Sequence, residues 1–349
     1  VRAAGAAGLG VDYKQAGVDI EAADAAKARI KSLARQSFNA GVLSEIGSFG
    51  GMFRPDFSRY EEPVLVASTD GVGTKIKIAV AMGVHHTVGY DIVAHCVNDI
   101  LVQGAVPLFF LDYLALGRLD APRVEAIVSG VSRACAEFGC PLIGGETAQM
   151  PDVYAPDDYD LAGFIVGVVD RQKALTGERV RAGDLLIGLP SSGLHTNGYT
   201  LARKVLFEQM GMTPLTQVAE LGGSIGKLLL TPHRSYLQAL EPLIERGKVR
   251  ALAHITGGGF PGNLPRVLPP GLGARIRRGS WDVPAIFRLI QDGGKVAADE
   301  MYRTFNMGIG MVAVVAREDH HDVEHSLDRR GELSYLIGSV VEGAGVEYE

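Results

Sequence analysis

The sequence predicts an α/β protein of α+β character, folded as two domains. Its 349 residues exceed the roughly 250–300 at which one hydrophobic core stops growing. Short apolar, β-branched runs alternate with segments of helical period, the pattern of sheet layered on helix. A charged, turn-rich stretch over 170–183 separates two such alternations. The boundary is therefore placed near Asp170, with 1–12 as a flexible lead-in, 13–170 as the first domain and 171–349 as the second.

Residues 20–38 set Ile20, Ala23, Ala26, Ile30 and Leu33 at helical spacing with charges elsewhere, which predicts an amphipathic helix. Gly47, Gly50 and Gly51 then break the chain. Residues 64–68 form a short strand behind Pro63, and the Asp70–Gly73 loop follows it. A helix over 76–82, an apolar helix over 95–103 carrying Asn98 and Asp99, and a strand over 108–116 come next. Segment 122–138 is a helix with Pro122 at its start and Gly139 past its end, the usual punctuation. A β-branched strand over 161–169 closes this half. The second half reads as strand 184–189, helices 200–210 and 235–246, strand 249–255, a glycine loop, helices 263–268 and 283–291, and strand 310–315.

Composition excludes several classes of protein. Hydrophobic residues make up 47% and charged residues 21%, which indicates a packed globular chain rather than a disordered one. A net charge of −6 argues against a nucleic-acid partner, which would ask for a basic face. No run approaches about 18 uninterrupted apolar residues, and the opening VRAAGAAGLG has no apolar signal-peptide centre. Neither membrane anchor nor export is expected. Cys96, Cys135 and Cys140 are odd in number and lack a CxxC pair, so no disulfide framework or zinc site is indicated and a cytoplasmic location is expected.

Three glycine-flanked acidic segments supply Asp70 (STDGVGTK), Asp99 (CVNDILVQGA) and Glu146 (IGGETAQMP). Each follows or enters an apolar run, so each carboxylate should sit where a buried element meets an open loop. Mg²⁺ takes hard oxygen ligands, one or two carboxylates per ion together with phosphates and water. Neighbouring glycines let backbone N–H groups approach those phosphates. Any one of the three reads as a helix-capping loop acid; together they point to a metal–nucleotide site.

PSSGLHTNGY follows a strand and precedes a helix. Ser191, Ser192, Thr196 and Asn197 can each hydrogen-bond a phosphate, and His195 among them could do acid–base or oxyanion work. ITGGGFPGNLPRVL contains a GxGxxG at Gly257, Gly259 and Gly262, but Pro261 interrupts it and no acid follows a second strand about 20 residues on. A phosphate-binding helix start fits better than a dinucleotide fold. GVGTK is too short for a Walker A loop, and no GxSxG is present.

In this order, YKQAGVDI (13–20), STDGVGTK, CVNDILVQGAVPLFFLDY, GGETAQMP, SSGLHTNGY, HITGGGFPGNLPRVLP and EMYRTFNMGIGM (300–311) closely resemble the phosphoribosylformylglycinamidine cyclo-ligase family, the aminoimidazole ribonucleotide synthetases. DGVGT and GGETA are shared with a wider ATP-using superfamily that includes selenophosphate synthetase and thiamin-monophosphate kinase; VQGAVPLFFLDY and EMYRTFNMGIGM narrow it. Leu194 and Thr196 stand where Pro and Ser are expected in many relatives.

The resemblance implies ATP-dependent closure of formylglycinamidine ribonucleotide to aminoimidazole ribonucleotide in purine biosynthesis, through a phosphorylated formyl oxygen. Another kinase or synthetase of the superfamily is the alternative. It further implies an N-terminal sheet joined to that of a second subunit in a barrel-like homodimer interface, and a C-terminal α/β domain that takes the substrate. ATP and Mg²⁺ would meet Asp19, Asp70, Gly71, Gly73, Thr74, Lys75, Asn98, Asp99, Gly145, Glu146 and Thr147, with Asp70, Asp99 and Glu146 on the metal. Lys75 would offset phosphate charge. Ser191, Ser192, His195, Thr196, Asn197 and Gly257, Gly258 and Gly259 would receive the substrate, with His195 and His254 as acid–base candidates.

Overall fold

The computed structural model describes residues 20–349. Asp19 and the lead-in lie outside the described residues. The first half runs α1 (Ile20–Arg35), β1 (Pro63–Gly71), α2 (Ile76–Met82), α3 (His86–Leu101), β2 (Val106–Leu116), α4 (Ala121–Glu137), β3 (Leu142–Gln149) and β4 (Tyr159–Asp170). The second half runs β5 (Leu185–Pro190), α5 (Tyr199–Arg203), β6 (Gln217–Val218), β7 (Gly223–Ser224), α6 (Ile225–Leu229), α7 (Leu237–Glu245), β8 (Ala251–His254) and α8 (Gly259–Asn263). It ends with β9 (Leu272–Ile276), α9 (Ala285–Gly294), α10 (Ala298–Thr304), β10 (Ile309–Val315), α11 (His320–Asp328), β11 (Tyr335–Glu342) and β12 (Val346–Tyr348).

Two main sheets result. The first has order β1-β4-β2-β3, with only β2 and β3 parallel; the second has order β12-β9-β11-β5-β10-β8, antiparallel except for β12 and β9. The mixed α/β class read from the sequence is the one observed.

Helix α3 lies on β1 and β4, with α4 packed against it. That helix pair is close because Gly89 and Gly130 face it. A Cβ on either would collide with backbone of the other helix, at Ile127 and His86 respectively. Asp120 caps α4 by accepting from the Arg123 N–H at 3.2 Å, and Pro122 sits in its first turn. Side chains alternate across a strand, so Val66, Phe110 and Ile165 point into the helix layer and are at most 9% exposed. The opposite face stays open. Leu65 and Phe164 are 60% and 43% exposed there, with Phe109, Leu111 and Val166 half-buried beside them. The second sheet shows no such face in its centre: every residue of β10, and of β5 except Pro190, is buried.

Several boundaries differ from the sequence reading. GGETA is not a loop: Gly145, Glu146 and Thr147 lie in β3, paired with β2. Asp70 belongs to β1 itself, paired with Gly163. The helix placed at 263–268 starts earlier, at Gly259, and gives way to a 3-10 turn at Leu264–Val267. The helix read over 200–210 continues past α5 as a π-helical Lys204–Gln209. β6, β7, β9, β11, β12, α6, α10 and α11 went unread.

Candidate active site

A cleft of about 680 Å³ opens between the first sheet and the second half of the chain. Ser68, Thr69, Asp70, His95 and Asp99 line one side, and Thr176, His254, Thr256, Asn263 and Arg266 the other. Asp70 is delivered by β1 and Asp99 by the last turns of α3, which lies on that strand. Both carboxylates are reachable, with side chains 44% and 25% exposed.

His95 holds the two acids together. Its Nε2 lies 2.8 Å from Asp70 Oδ2 and 3.5 Å from Asp99 Oδ2, and its Nδ1 is 2.8 Å from Thr196 Oγ1. Burial alone would lower its pKa, but the two carboxylates outweigh burial and raise it to about 10. His95 is an imidazolium bracketed by anions. On Asp99, burial acts upward and is overcome by hydrogen bonds from His254 and His95, which hold the carboxyl well below its ordinary range. Asp70 is lowered as well, by His95 and by the Gly71 N–H, against the pull of burial.

His254 completes the pole. Its Nδ1 is 2.8 Å from Asp99 Oδ1, so the Nδ1–H donates and Nε2 keeps its lone pair. Burial lowers its pKa, and it stands neutral. Behind it lie His233 and His195, whose rings stack at 3.9 Å. His195 Nδ1, His233 Nε2 and His254 Nε2 are buried without a hydrogen-bond partner, and the three residues stand close enough to suggest a metal centre. Their tautomers oppose that reading. His195 Nε2 accepts from the Ser192 N–H at 3.1 Å, so its Nδ1 must carry the proton, while His233 Nδ1–H donates to the Arg234 carbonyl at 3.0 Å. The cluster therefore presents one donor and two lone pairs, which suits a small polar molecule such as water; three imidazole ligands would need three lone pairs.

Four of the expected residues lie apart from the open carboxylates or behind them. Lys75 cannot reach a phosphate in the cleft: it is fully buried, ion-paired with Asp91 at 2.7 Å and donating to the Thr231 carbonyl at 2.8 Å. Burial pulls its pKa down while Asp91 opposes the shift. Glu146 does not join Asp70 and Asp99. Register runs Asp70, Gly163, Asp112, Gly145 across the sheet, which puts Gly145 three strand spacings away, roughly 14 Å. Glu146, one residue on, points to the other face. His195 is 2% exposed, its Nε2 accepts from the Ser192 N–H, and burial holds its pKa well below the usual value. His254 likewise presents no free nitrogen to the cleft in this arrangement, because Nδ1 is bonded and Nε2 is sealed.

The remaining expected residues are placed as follows. Gly71 ends β1, Gly73 and Thr74 form the turn after it, and Thr74 Oγ1 lies 3.1 Å from Thr200 Oγ1. Asn98 is buried and ties the two halves together: its amide donates to the Arg234 carbonyl at 2.8 Å and its Oδ1 accepts from Tyr236 N–H at 2.9 Å. Thr147 sits beyond Glu146 on β3. Ser191 and Ser192 donate to the Gly193 and Pro232 carbonyls, so their hydroxyl protons serve the loop. Asn197 lies against Gly257, at the mouth of the Gly257–Gly258–Gly259 turn.

Asp91, His95, His233, Asn263 and Arg266 went unread. Asp91, His95, Asn98 and Asp99 repeat at helical spacing and form one polar stripe on an otherwise apolar α3, a signal present in the sequence.

With this geometry in view, the chain falls into a known family. Residues 52–169 match the N-terminal domain, and 181–349 the C-terminal domain, of AIR synthase related proteins, and the chain belongs to that family. Its relatives include the phosphoribosylformylglycinamidine cyclo-ligase of Brevibacillus brevis, 53% identical over 331 residues that cover 95% of this chain and 96% of that protein. The enzyme of that name from Sorangium cellulosum is 52% identical over 343 residues, 98% of each. Among solved structures, thiamine-monophosphate kinase from Stenotrophomonas maltophilia K279a matches with a TM-score of 0.67 at 19% identity, over 92% of this chain and 95% of that one. HypE of E. coli matches at 0.65 and 21%, over 91% and 92%. At such identities the likeness is one of fold.

Proposed function

We propose that the chain is an ATP-dependent cyclo-ligase that closes formylglycinamidine ribonucleotide to aminoimidazole ribonucleotide, with release of ADP and phosphate, in purine biosynthesis. The observation that carries this reading is identity of about half to cyclo-ligases over nearly the whole chain. An amide oxygen is a poor leaving group. Transfer of the ATP γ-phosphoryl to the formyl oxygen makes it a good one; the amidine nitrogen then attacks the formyl carbon, and the C–O bond breaks with both electrons on the departing phosphate.

The cleft suits that division of labour. Mg²⁺ fits Asp70 and Asp99: two carboxylates are a sufficient protein share for this ion, and each oxygen that accepts one N–H keeps a second lone pair. When bound, the ion would offset phosphate charge. His95 and His254 act on the carboxylates, fixing their rotamers and charge, in a reaction that rests on positioning and electrostatics. Asn98 and the His233 N–H, which donates to Asp91 Oδ1 at 2.7 Å, hold α3 against the second half so that the two walls stay in register.

The open apolar face around Leu65 and Phe164 supports a homodimer built on the first sheet. Light scattering should give twice 37.1 kDa for the wild type and the monomer mass for Phe164→Glu. Among the described residues no helix is long and apolar enough to cross a membrane. Three free, buried cysteines suit a reducing cytoplasm.

The test is ADP release with Mg·ATP and each candidate acceptor. Formylglycinamidine ribonucleotide should drive ADP release matched by aminoimidazole ribonucleotide. Turnover of thiamin monophosphate with none of the ribonucleotide would replace this reading with that of a sister kinase.

A further inference from the structure

The cleft is electrically lopsided. Asp70 and Asp99 line the wall given by the first half of the chain; on the wall given by the second half, Arg266 is the one Lys or Arg among the described lining residues, and no carboxylate pairs with it. An exposed arginine usually finds an acid on a chain of net charge −6; this one is held by an amide. Arg266 Nη1 donates to Asn263 Oδ1 at 3.2 Å. Asn263 is 3% exposed, and its orientation is fixed by its own Nδ2, which donates to the Gly259 carbonyl at 2.8 Å and the Gly257 carbonyl at 3.3 Å. Thr256 Oγ1 lies 3.4 Å from the same Asn263 oxygen. A buried amide thus aims the guanidinium without neutralising it, leaving the rest of its donor fork open to the cleft.

We infer that Arg266 is the specificity-determining residue for the phosphomonoester of the ribonucleotide substrate, with Asn263 as its positioning residue. The inference rests on the proposed function and goes beyond it. The reacting formyl oxygen must meet the γ-phosphoryl of ATP, whose charge belongs with a cation at Asp70 and Asp99. The substrate's own phosphate takes no part in the reaction, so it is free to meet the one guanidinium that lines the cleft, Arg266. Lys75 cannot serve, being sealed against Asp91. Guanidinium suits the task because its planar fork takes two phosphate oxygens at once.

Calorimetric titration of the full chain tests this without relying on turnover. The ligands are formylglycinamidine ribonucleotide, its dephosphorylated nucleoside and Mg·ATP; the proteins are wild type, Arg266→Ala and Arg266→Lys. Loss of a charge-assisted contact should weaken ribonucleotide binding by roughly 10- to 150-fold in Arg266→Ala, leave nucleoside and Mg·ATP affinities within about twofold, and be only partly repaired by lysine. The discrimination between ribonucleotide and nucleoside should shrink by the same factor. Equal ribonucleotide affinity in wild type and Arg266→Ala overturns the inference while leaving the cyclo-ligase reading intact. Weakened Mg·ATP binding in its place also overturns it, since Arg266 would then serve the triphosphate. A wild type that binds ribonucleotide and nucleoside alike refutes phosphate recognition outright, and ADP release by that same preparation shows separately whether the cyclo-ligase reading stands.

Discussion

Two groups of ionisable side chains lie within a few ångströms of each other, and they have opposite fates. Asp70 and Asp99 reach the cleft, with His95 and His254 bonded behind them. His195 and His233 stack in a sealed layer further back, 2% and 1% exposed. Histidine's ordinary pKa near neutrality makes it look like the reactive partner. Burial reverses that here: it holds both rings neutral, with His195 accepting the Ser192 N–H and His233 donating to the Arg234 carbonyl, so each ties a loop in place away from the cleft. The carboxylates, kept ionised by the imidazoles, face the cleft.

The largest effect should follow from the exposed pair. Asp99→Asn removes the charge that His95 and His254 support, and ADP release with the ribonucleotide should fall at least about 100-fold, the scale of losing one electrostatic group at a reacting centre. Retention of more than a tenth of the rate would place the chemistry elsewhere.

Next comes the sealed ion pair. Lys75→Met leaves Asp91 buried without its partner, and urea unfolding should show a loss of about 3–5 kcal/mol. An unchanged midpoint would mean that Lys75 is exposed in solution and free to meet phosphate after all.

His195 sharpens the contrast. It holds a φ of 60°, which Asn tolerates better than most residues. His195→Asn should lose about 1–3 kcal/mol of stability and keep turnover within about threefold. A 100-fold fall in turnover with unchanged stability would return His195 to the reaction.

The smallest effect concerns Asp112 on the first sheet. Burial, and then the charge of Glu146, push its pKa up to about 7. Because the folded value lies above the unfolded one, near 3.9, its stabilising contribution is complete below pH 4 and is lost as pH rises to 7. Between those limits the wild type should lose roughly 1–3 kcal/mol that Asp112→Asn does not lose. Parallel stability profiles for the two proteins would show that Asp112 is solvated.

Much of this was legible in the sequence. That Asp70 and Asp99 line the cleft was legible because a glycine-flanked acid beside an apolar run marks the end of a buried element. The strands β1, β2, β4, β5, β8 and β10 were legible because each is dominated by apolar and β-branched residues. β3 was missed because Gly144, Gly145 and Glu146 weaken strand propensity, and pairing with β2 overrides it. Gly338 hid β11 in the same way, yet a Cβ there would strike the Arg275 carbonyl, so the glycine permits the pairing that propensity disfavours. Lys75 was misread because a lysine after a glycine loop resembles a phosphate ligand, and its partner Asp91 is identifiable only once α2 and α3 are folded together. Arg266 was passed over because nothing local distinguishes it; its meaning comes from the acids across the cleft.

The central claim is that this cleft activates a formyl oxygen by phosphorylation and closes a ring by displacing it. Turnover of formylglycinamidine ribonucleotide carrying ¹⁸O in the formyl group, with mass analysis of the phosphate released, tests that claim most directly. One labelled oxygen in each phosphate formed, together with unlabelled ADP, is the expected result. Label appearing in water, with phosphate unlabelled, would show that the oxygen departs by another route and would contradict the account.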